Sequence, residues 1–258
     1  MYNGYTITSA ILNGTLLSKM MVNGTDTLAA TVVETDAPVI WLDGADFTNS
    51  PPTTSWIDKS GRGNNATPIN MTYTTTDGSD GIGGVVVDGV TSTSYLEIAD
   101  TSDLAFGIND FTIHFYIKRL TKGGTVSQNI FGKNATGNQN TMSVAMYFSS
   151  GNLLKGKIGN GTYTAFDLNS STFFSDLTRW YHIAMVRSGN SLFLFKDGVL
   201  ESTKDVTGIT VFTNTAKLLI GRISEIGVFA GSSSIDDFKI YKGTALWTAA
   251  FTPPTRTN

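Results

Sequence analysis

The stretch FTIHFYIK, Phe111 to Lys118, most constrains the fold. Phe111, Ile113, Phe115 and Ile117 fall on one face of an extended chain; Thr112, His114, Tyr116 and Lys118 fall on the other. Strict alternation of this kind predicts a half-buried β-strand. From Ala37 onward the chain repeats the theme. WYHIAMVR (Trp180–Arg187) is more uniformly apolar, as a central sandwich strand can be. SGNS turns it into SLFLFK, and Asp197-Gly198 turns it again into VLEST, an antiparallel meander with a D-G hairpin. MSVAMYF, TYTAFDL, KLLIG and DDFKIY add further strands, and helix-length periodicity is nearly absent. Many short strands separated by Gly, Asn, Asp and Ser turns predict an all-β fold of two antiparallel sheets packed as a sandwich.

The remaining composition narrows the function classes. Charged residues make up 15% of the 258, against roughly 25% in an average globular protein. The surface must therefore be covered largely by Thr, Ser, Asn and Gly. A net charge of −3 offers no attraction to nucleic acid or to an anionic membrane. There is no cysteine, which excludes disulfides and thiolate metal sites and fits a reducing compartment. No apolar run approaches the roughly 18 residues of a membrane helix. MYNGYTITSAILNG lacks the basic and apolar regions of a signal peptide.

Residues 1–35 differ in style from residues 36–258. The units LNGTL and VNGTDTL centre on Asn13-Gly14 and Asn23-Gly24, both hairpin signals. Short strands are expected around them, with LLSKMM as a candidate helical turn. These strands either open the main domain or form an arm that docks on another subunit, since a small ribbon is marginal alone. The Asn-Gly-Thr triplets match a glycosylation acceptor, a match expected by chance in a chain this rich in Asn and Thr.

Several segments, in order, resemble the laminin-G-like, concanavalin A-type jelly roll of lectins and glucanases. They are WIDKSGRGNNAT (Trp56–Thr67), VVVDGVTSTSYLEIADTSDLAFG (Val85–Gly107), DFTIHFYIKR, WYHIAMVRSGNSLFLFKDGVLEST, and LLIGR followed by SIDDFKIYKGTAL. The resemblance covers roughly Ala37 to Pro254 and implies a jelly-roll sandwich. Hydrolases of this class carry paired carboxylates on one strand, about 5–5.5 or 6.5–9.5 Å apart. Here Glu34, Glu97, Glu201 and Glu225 are dispersed. No Ser/His/Asp constellation, phosphate loop or HExxH motif accompanies His114 and His182. A non-enzymatic role is expected, with a hydrolase of dispersed carboxylates as an alternative.

Many relatives bind calcium through hard oxygen ligands. Two sets are conceivable here: Asn134 and Asn138 with Glu225, or Asp236 or Asp237 with Asp43. The competing reading for each is turn chemistry or backbone capping. Alternation puts Asp236 and Asp237 on opposite faces of a strand. Asp236 then faces inward with Phe238 and Ile240, hydrogen-bonded or metal-bound, and Asp237 lies beside Lys239. For a glycan ligand the aromatic candidates are Trp41, Trp56, Trp180, Trp247, Tyr95 and Tyr147, with Trp41, Trp56 and Trp180 expected to be packed. The loop tips supply the expected contacts: Asn138, Asn140, Asn160, Tyr163 and Glu225.

The ending IYKGTALWTAAFTPPT resembles laminin-G-like domains of bacteriophage tail, fibre and capsid decoration proteins. That resemblance implies a virion protein made in the host cytoplasm. Residues 1–35 would bind other virion proteins, and the sandwich would be exposed for host-surface glycan or shell reinforcement. The chain is expected to be homo-oligomeric, without nucleic acid or membrane span. A secreted bacterial carbohydrate-binding or adhesion module is the alternative setting.

Overall fold

The computed structural model describes residues 5–12, 15–22, 25–27, 36–47, 55–74, 77–87, 94–121, 127–136, 138–162, 166–225 and 232–255. The strands run β1 (Tyr5–Leu12), β2 (Thr15–Val22), β3 (Thr25–Thr27), β4 (Ile40–Leu42), β5 (Ala66–Ile69), β6 (Thr72–Thr74), β7 (Gly84–Val87), β8 (Tyr95–Ile98) and β9 (Phe111–Arg119). They continue with β10 (Gln128–Lys133), β11 (Val144–Phe148), β12 (Leu153–Ile158), β13 (Phe166–Phe173), β14 (Tyr181–Ser188), β15 (Ser191–Lys196), β16 (Val199–Asp205), β17 (Leu218–Ile220) and β18 (Ser233–Lys242). The helical elements among the described residues are 3-10 turns of three or four residues.

One sheet has the order β13-β12-β11-β10-β17-β8-β5; the other runs β16-β15-β14-β9-β18-β7-β6, with β4 also on β18. Both are antiparallel, and their inner faces form one core. Phe115, Phe131 and Phe238 meet at its centre, at centroid distances of 5.6 to 5.9 Å. Such aromatic pairs add to the stability that apolar burial alone supplies. β1, β2 and β3 form a third sheet, whose strand pairing does not extend to the other two among the described residues.

Three expectations are corrected. LLSKMM is not a helical turn: it lies in β2, which pairs along its length with β1. Leu12↔Thr15 and Val22↔Thr25 pair directly, so two residues separate the strands at each Asn-Gly site, as in hairpins. Those Asn-Gly residues lie outside the described ones.

FTIHFYIK is not half-buried. Thr112 and His114, on the face expected to meet water, are both 0% exposed. The segment after β18 crosses that face and builds a second cluster, in which Trp247 is buried against Ala184, Val186 and Phe195. This covering also explains why WYHIAMVR is apolar on both faces. Trp247 stacks on Phe251 (4.0 Å, 5°) and sets its edge against His114 and His182. The imidazoles meet each other, Nδ1 of His114 lying 3.2 Å from Nε2 of His182.

This covering strap, residues 243–255, is pinned at the D-G turn. Asp197 (φ 51°) and Gly198 (φ 77°) take the positive φ angles of a type I′ hairpin. Phe251 N–H donates to the Gly198 carbonyl at 2.9 Å. A Cβ at Gly198 would lie 1.8 Å from the Phe251 carbonyl oxygen, so glycine is required there on two grounds.

The third correction is at Asp236-Asp237. Asp236 pairs with Tyr116 and Lys239 with His114, so two residues of β18 oppose Phe115 alone. This is a β-bulge. Its extra residue, Asp237, has φ 48°, a left-handed conformation that Asp tolerates better than most residues. The bulge resets the alternation. Phe238 faces the core, Asp236 takes the Tyr116 side, and both acids are buried, at 0% and 2% exposed.

A single carboxylate ties the two sheet edges together. Glu201 on β16 accepts from Ser171 N and Oγ and from Thr172 N and Oγ1 on β13, at 2.5 to 2.9 Å. Partial burial pushes its pKa up, but these hydrogen bonds outweigh that and hold it below the ordinary carboxylate range. A depressed pKa stabilises the fold above the unfolded value of about 4.3 and loses that contribution as pH falls through the folded value. Glu201→Gln is therefore expected to cost about 1 kcal/mol near neutrality, discounted for solvent screening. The difference from wild type should vanish in melting curves taken well below pH about 4; a difference independent of pH would contradict this account.

Candidate functional site

The outer face of the seven-stranded sheet carries a candidate site. β8 alternates Tyr95 and Glu97 outward with Leu96 and Ile98 buried, and β17 buries Leu218 and Ile220 in the core. Lys217 and Leu219 therefore share the outward face with Tyr95 and Glu97. On neighbouring β10, Gly132 lies under the loop after β17, where a Cβ would come within 2.5 Å of the Ile223 backbone. This close approach lets residues 221–225 fold onto the sheet and wall off a pocket of about 220 Å³. Its lining is Tyr95, Glu97, Lys217, Leu219, Arg222 and Glu225.

The pocket's charges are held in place. The Lys217 ammonium lies 2.8 Å from Glu97 Oε1, and the Lys217 backbone N–H donates to Glu225 Oε1 at 2.9 Å. The hydrogen bond to Glu97 raises the Lys217 pKa above its ordinary value. The Arg222 guanidinium sits over the Tyr95 ring, 4.7 Å from its centroid, and Nη2 donates to the Glu225 carbonyl at 3.4 Å. An aromatic ring beside fixed donors and carboxylates offers apolar contact and directional hydrogen bonds together.

Four loops are laced together beside this pocket. Glu225 N–H donates to Asn134 O at 3.0 Å, and Gly161 N–H to Asn140 O at 2.9 Å. Asn214 Nδ2 donates to Thr141 O at 2.8 Å. The structure thus brings Asn134, Asn138, Asn140, Asn160 and Glu225 to one end of one sheet. Side-chain carbonyls in this group already serve turns: Asn138 Oδ1 accepts from Asn140 N (2.9 Å), and Asn160 Oδ1 accepts from Thr162 N (3.1 Å). Tyr163 lies outside the described residues.

Sequence reasoning missed Lys217 and Arg222 and singled out Glu97 only as one of four dispersed glutamates. A signal was present in YLEI, whose alternation points Tyr95 and Glu97 to one side, whereas KLLIG is apolar from Leu218 to Ile220 and gives none for Lys217. Which strands are neighbours was not readable.

Of the metal candidates, Asp236 and Asp43 are both held by donors of the protein, and Asn134 lies in a different cluster. Asp236 Oδ1 accepts from Gly44 N (3.0 Å) and Asp237 N (2.7 Å), and Oδ2 accepts from Ser79 N (2.8 Å) and Ser79 Oγ (2.6 Å). It is thus hydrogen-bonded, one of the two states expected for it. Asp43 accepts from Ala45 N and pairs with Lys59 at 2.8 Å. Asn134 lies with the loop cluster instead. Among the described residues, no three His, Cys, Asp or Glu side chains form a metal-holding group. Asp237 accepts from the Trp41 indole at 2.9 Å and pairs with Lys239 at 3.2 Å, as expected of the latter. Trp56 is 0% exposed and donates to Asp43 O.

A laminin-G-type family profile, described as concanavalin A-like lectin/glucanases superfamily, matches residues 90–248. The chain belongs to this superfamily. Comparison with curated proteins returns no match. Among solved structures the chain is similar to the binding domain of Paraclostridial Mosquitocidal Protein 1, with 18% identity and a TM-score of 0.62 over 84% of this chain and 50% of that one. It is also similar to the receptor binding domain of botulinum neurotoxin C/D mosaic serotype (13% identity, TM-score 0.60, 82% of this chain, 49% of that one). The binding domain of Botulinum Neurotoxin DC in complex with SialylT is a third (15%, 0.59, 82% and 49%). The chain spans about half the length of these structures, and at such identities the likeness is one of fold. The concanavalin A-like sandwich is therefore common to a lectin-like family and to toxin binding domains.

Proposed function

We propose that the chain is a non-enzymatic, glycan-binding module of a virion structural protein, decorating a capsid or belonging to a fibre or tail. The observation that carries the binding half is the pocket of Tyr95, Glu97, Lys217, Leu219, Arg222 and Glu225, rimmed by asparagine-rich loops. A saccharide presents C–H faces and hydroxyls, which match an aromatic ring beside fixed charged and amide groups. The family, and the likeness to toxin binding domains, support recognition over catalysis. Residues 1–35 are the anchor to other virion proteins: a three-stranded ribbon is at the margin of independent stability and gains from a partner surface. This half rests on the resemblance to phage laminin-G-like domains.

A glycan array probed with the full chain, with calcium and with EDTA, tests the binding half. Saccharide binding that survives EDTA is expected, because protein donors already occupy Asp43 and Asp236. An array without a bound glycan would overturn the reading. Particle assembly with and without residues 1–35 tests the anchor.

One observation favours a second reading. Glu97 and Glu225 line one pocket, so a dispersed acid pair for glycoside hydrolysis exists in outline. Cleavage of a bound glycan, lost in Glu97→Gln or Glu225→Gln, would establish it.

A further inference from the structure

Lys133 closes β10 with its ammonium buried, the side chain 1% exposed. A charge so placed must be compensated. Its donors go to Asp100 Oδ1 at 2.8 Å, to the Asn214 backbone carbonyl at 2.6 Å and to Asn214 Oδ1 at 3.0 Å. The Asn214 amide is fixed from both ends. Nδ2 donates to Thr141 O (2.8 Å) and Lys133 O (3.2 Å), and Oδ1 also accepts from Ala216 N (3.1 Å). The network therefore determines which end of the amide is oxygen. An amine nitrogen is held 3.0 Å from the oxygen of a carboxamide, a carboxylate accepts from that nitrogen, and a second donor, the Ala216 N–H, addresses the same oxygen. These are the parts of an acyl transfer: nucleophile, base and an oxyanion donor.

We propose that Lys133, Asp100 and Asn214 form an autocatalytic amide cross-link. The Asp100 carboxylate takes one proton from the Lys133 ammonium. The freed Nζ lone pair attacks Asn214 Cγ, a C–N bond forms, and the carbonyl π pair moves onto Oδ1, where the Ala216 N–H stabilises it. Nζ then loses a second proton, Nδ2 gains one through Asp100, and the Cγ–Nδ2 bond breaks with its electron pair leaving on nitrogen. The ammonium and the carboxamide become one secondary amide and one ammonium ion, with no oxidant and no cofactor. Fixed proximity supplies the acceleration that a free lysine and a free amide lack. The link would join residues 81 apart in sequence, tying the end of β10 to the loop that precedes β17. The site would then sit on a covalently closed frame, independent of which ligand it binds.

Intact mass spectrometry of the purified full chain, fresh and after prolonged incubation, reads the reaction as the loss of one ammonia. Succinimides at Asn-Gly pairs lose the same mass, so the proteolytic map decides. The expected result is a branched peptide joining Lys133 to Asn214 in wild type. It should be absent from Lys133→Arg and from Asp100→Asn, a variant that keeps the side chain's size. A wild-type chain at full sequence mass, with trypsin cutting after Lys133 in the denatured protein, would overturn the proposal and leave the triad an ion-paired clamp.

Discussion

Asp236→Ala is expected to yield little soluble, folded protein. The carboxylate is 0% exposed and accepts four hydrogen bonds, from Gly44 N, Asp237 N, Ser79 N and Ser79 Oγ. These donors come from three separate stretches, so one side chain closes the loop after β4, the loop before β7 and the bulge in β18. Alanine strips a partner from each and leaves the buried donors without their shared acceptor. The packing is tight: a Cβ on Gly44 would lie 2.4 Å from Asp236 Oδ1. Losing hydrogen bonds to a buried charge costs about 3–5 kcal/mol, much of the 5–15 kcal/mol typical of a domain. Soluble yield and thermal melting are the measurements; a variant melting within a degree or two of wild type would refute the role given to Asp236.

Trp247→Ala is expected to cost about 3–5 kcal/mol, the range for a buried aromatic truncated in a core. Trp247 is 3% exposed although it lies outside the sandwich core. It is the centre of the strap, stacked on Phe251 and edged against both histidines. Its loss uncovers Ala184, Val186 and Phe195 on the outer face of β14 and β15. A lowered melting temperature with increased binding of a hydrophobic dye is the expected pair of results. An unchanged melting temperature would mean that the strap is decoration rather than part of the fold.

Most of the sandwich was legible because strand alternation and turn chemistry are local. YLEI, FTIHFYIK, SLFLFK and the D-G turn each carry their own signal within eight residues. The failures have one physical cause, which is that tertiary contacts reassign faces. His114 looked like a solvent-side residue because Trp247, which covers it, is far away in the chain. Asp236 was placed on the wrong side because a single bulge residue shifts the phase of everything after it, and a period of two has no memory of such a slip. LLSKMM carries helix-forming residues, yet pairing with β1 overrides propensity. The site was legible in part. The loop asparagines and Glu225 were singled out from turn composition and family resemblance. Lys217 and Arg222 join them only because β17 lies between β8 and β10, a neighbourhood no local pattern encodes.

The central claim is that this pocket is the saccharide site, and Tyr95 tests it most directly. Tyr95 is half-exposed, outside the core, and supports Arg222. Calorimetric titration of an array-identified glycan into wild type, Tyr95→Ala and Tyr147→Ala separates the pocket from the remainder of the sheet face. Tyr95→Ala should bind at least about tenfold more weakly, equivalent to about 1.4 kcal/mol. Its melting temperature should stay near that of wild type, and Tyr147→Ala should bind normally. Undiminished binding by Tyr95→Ala would contradict the claim and place the ligand elsewhere on the molecule.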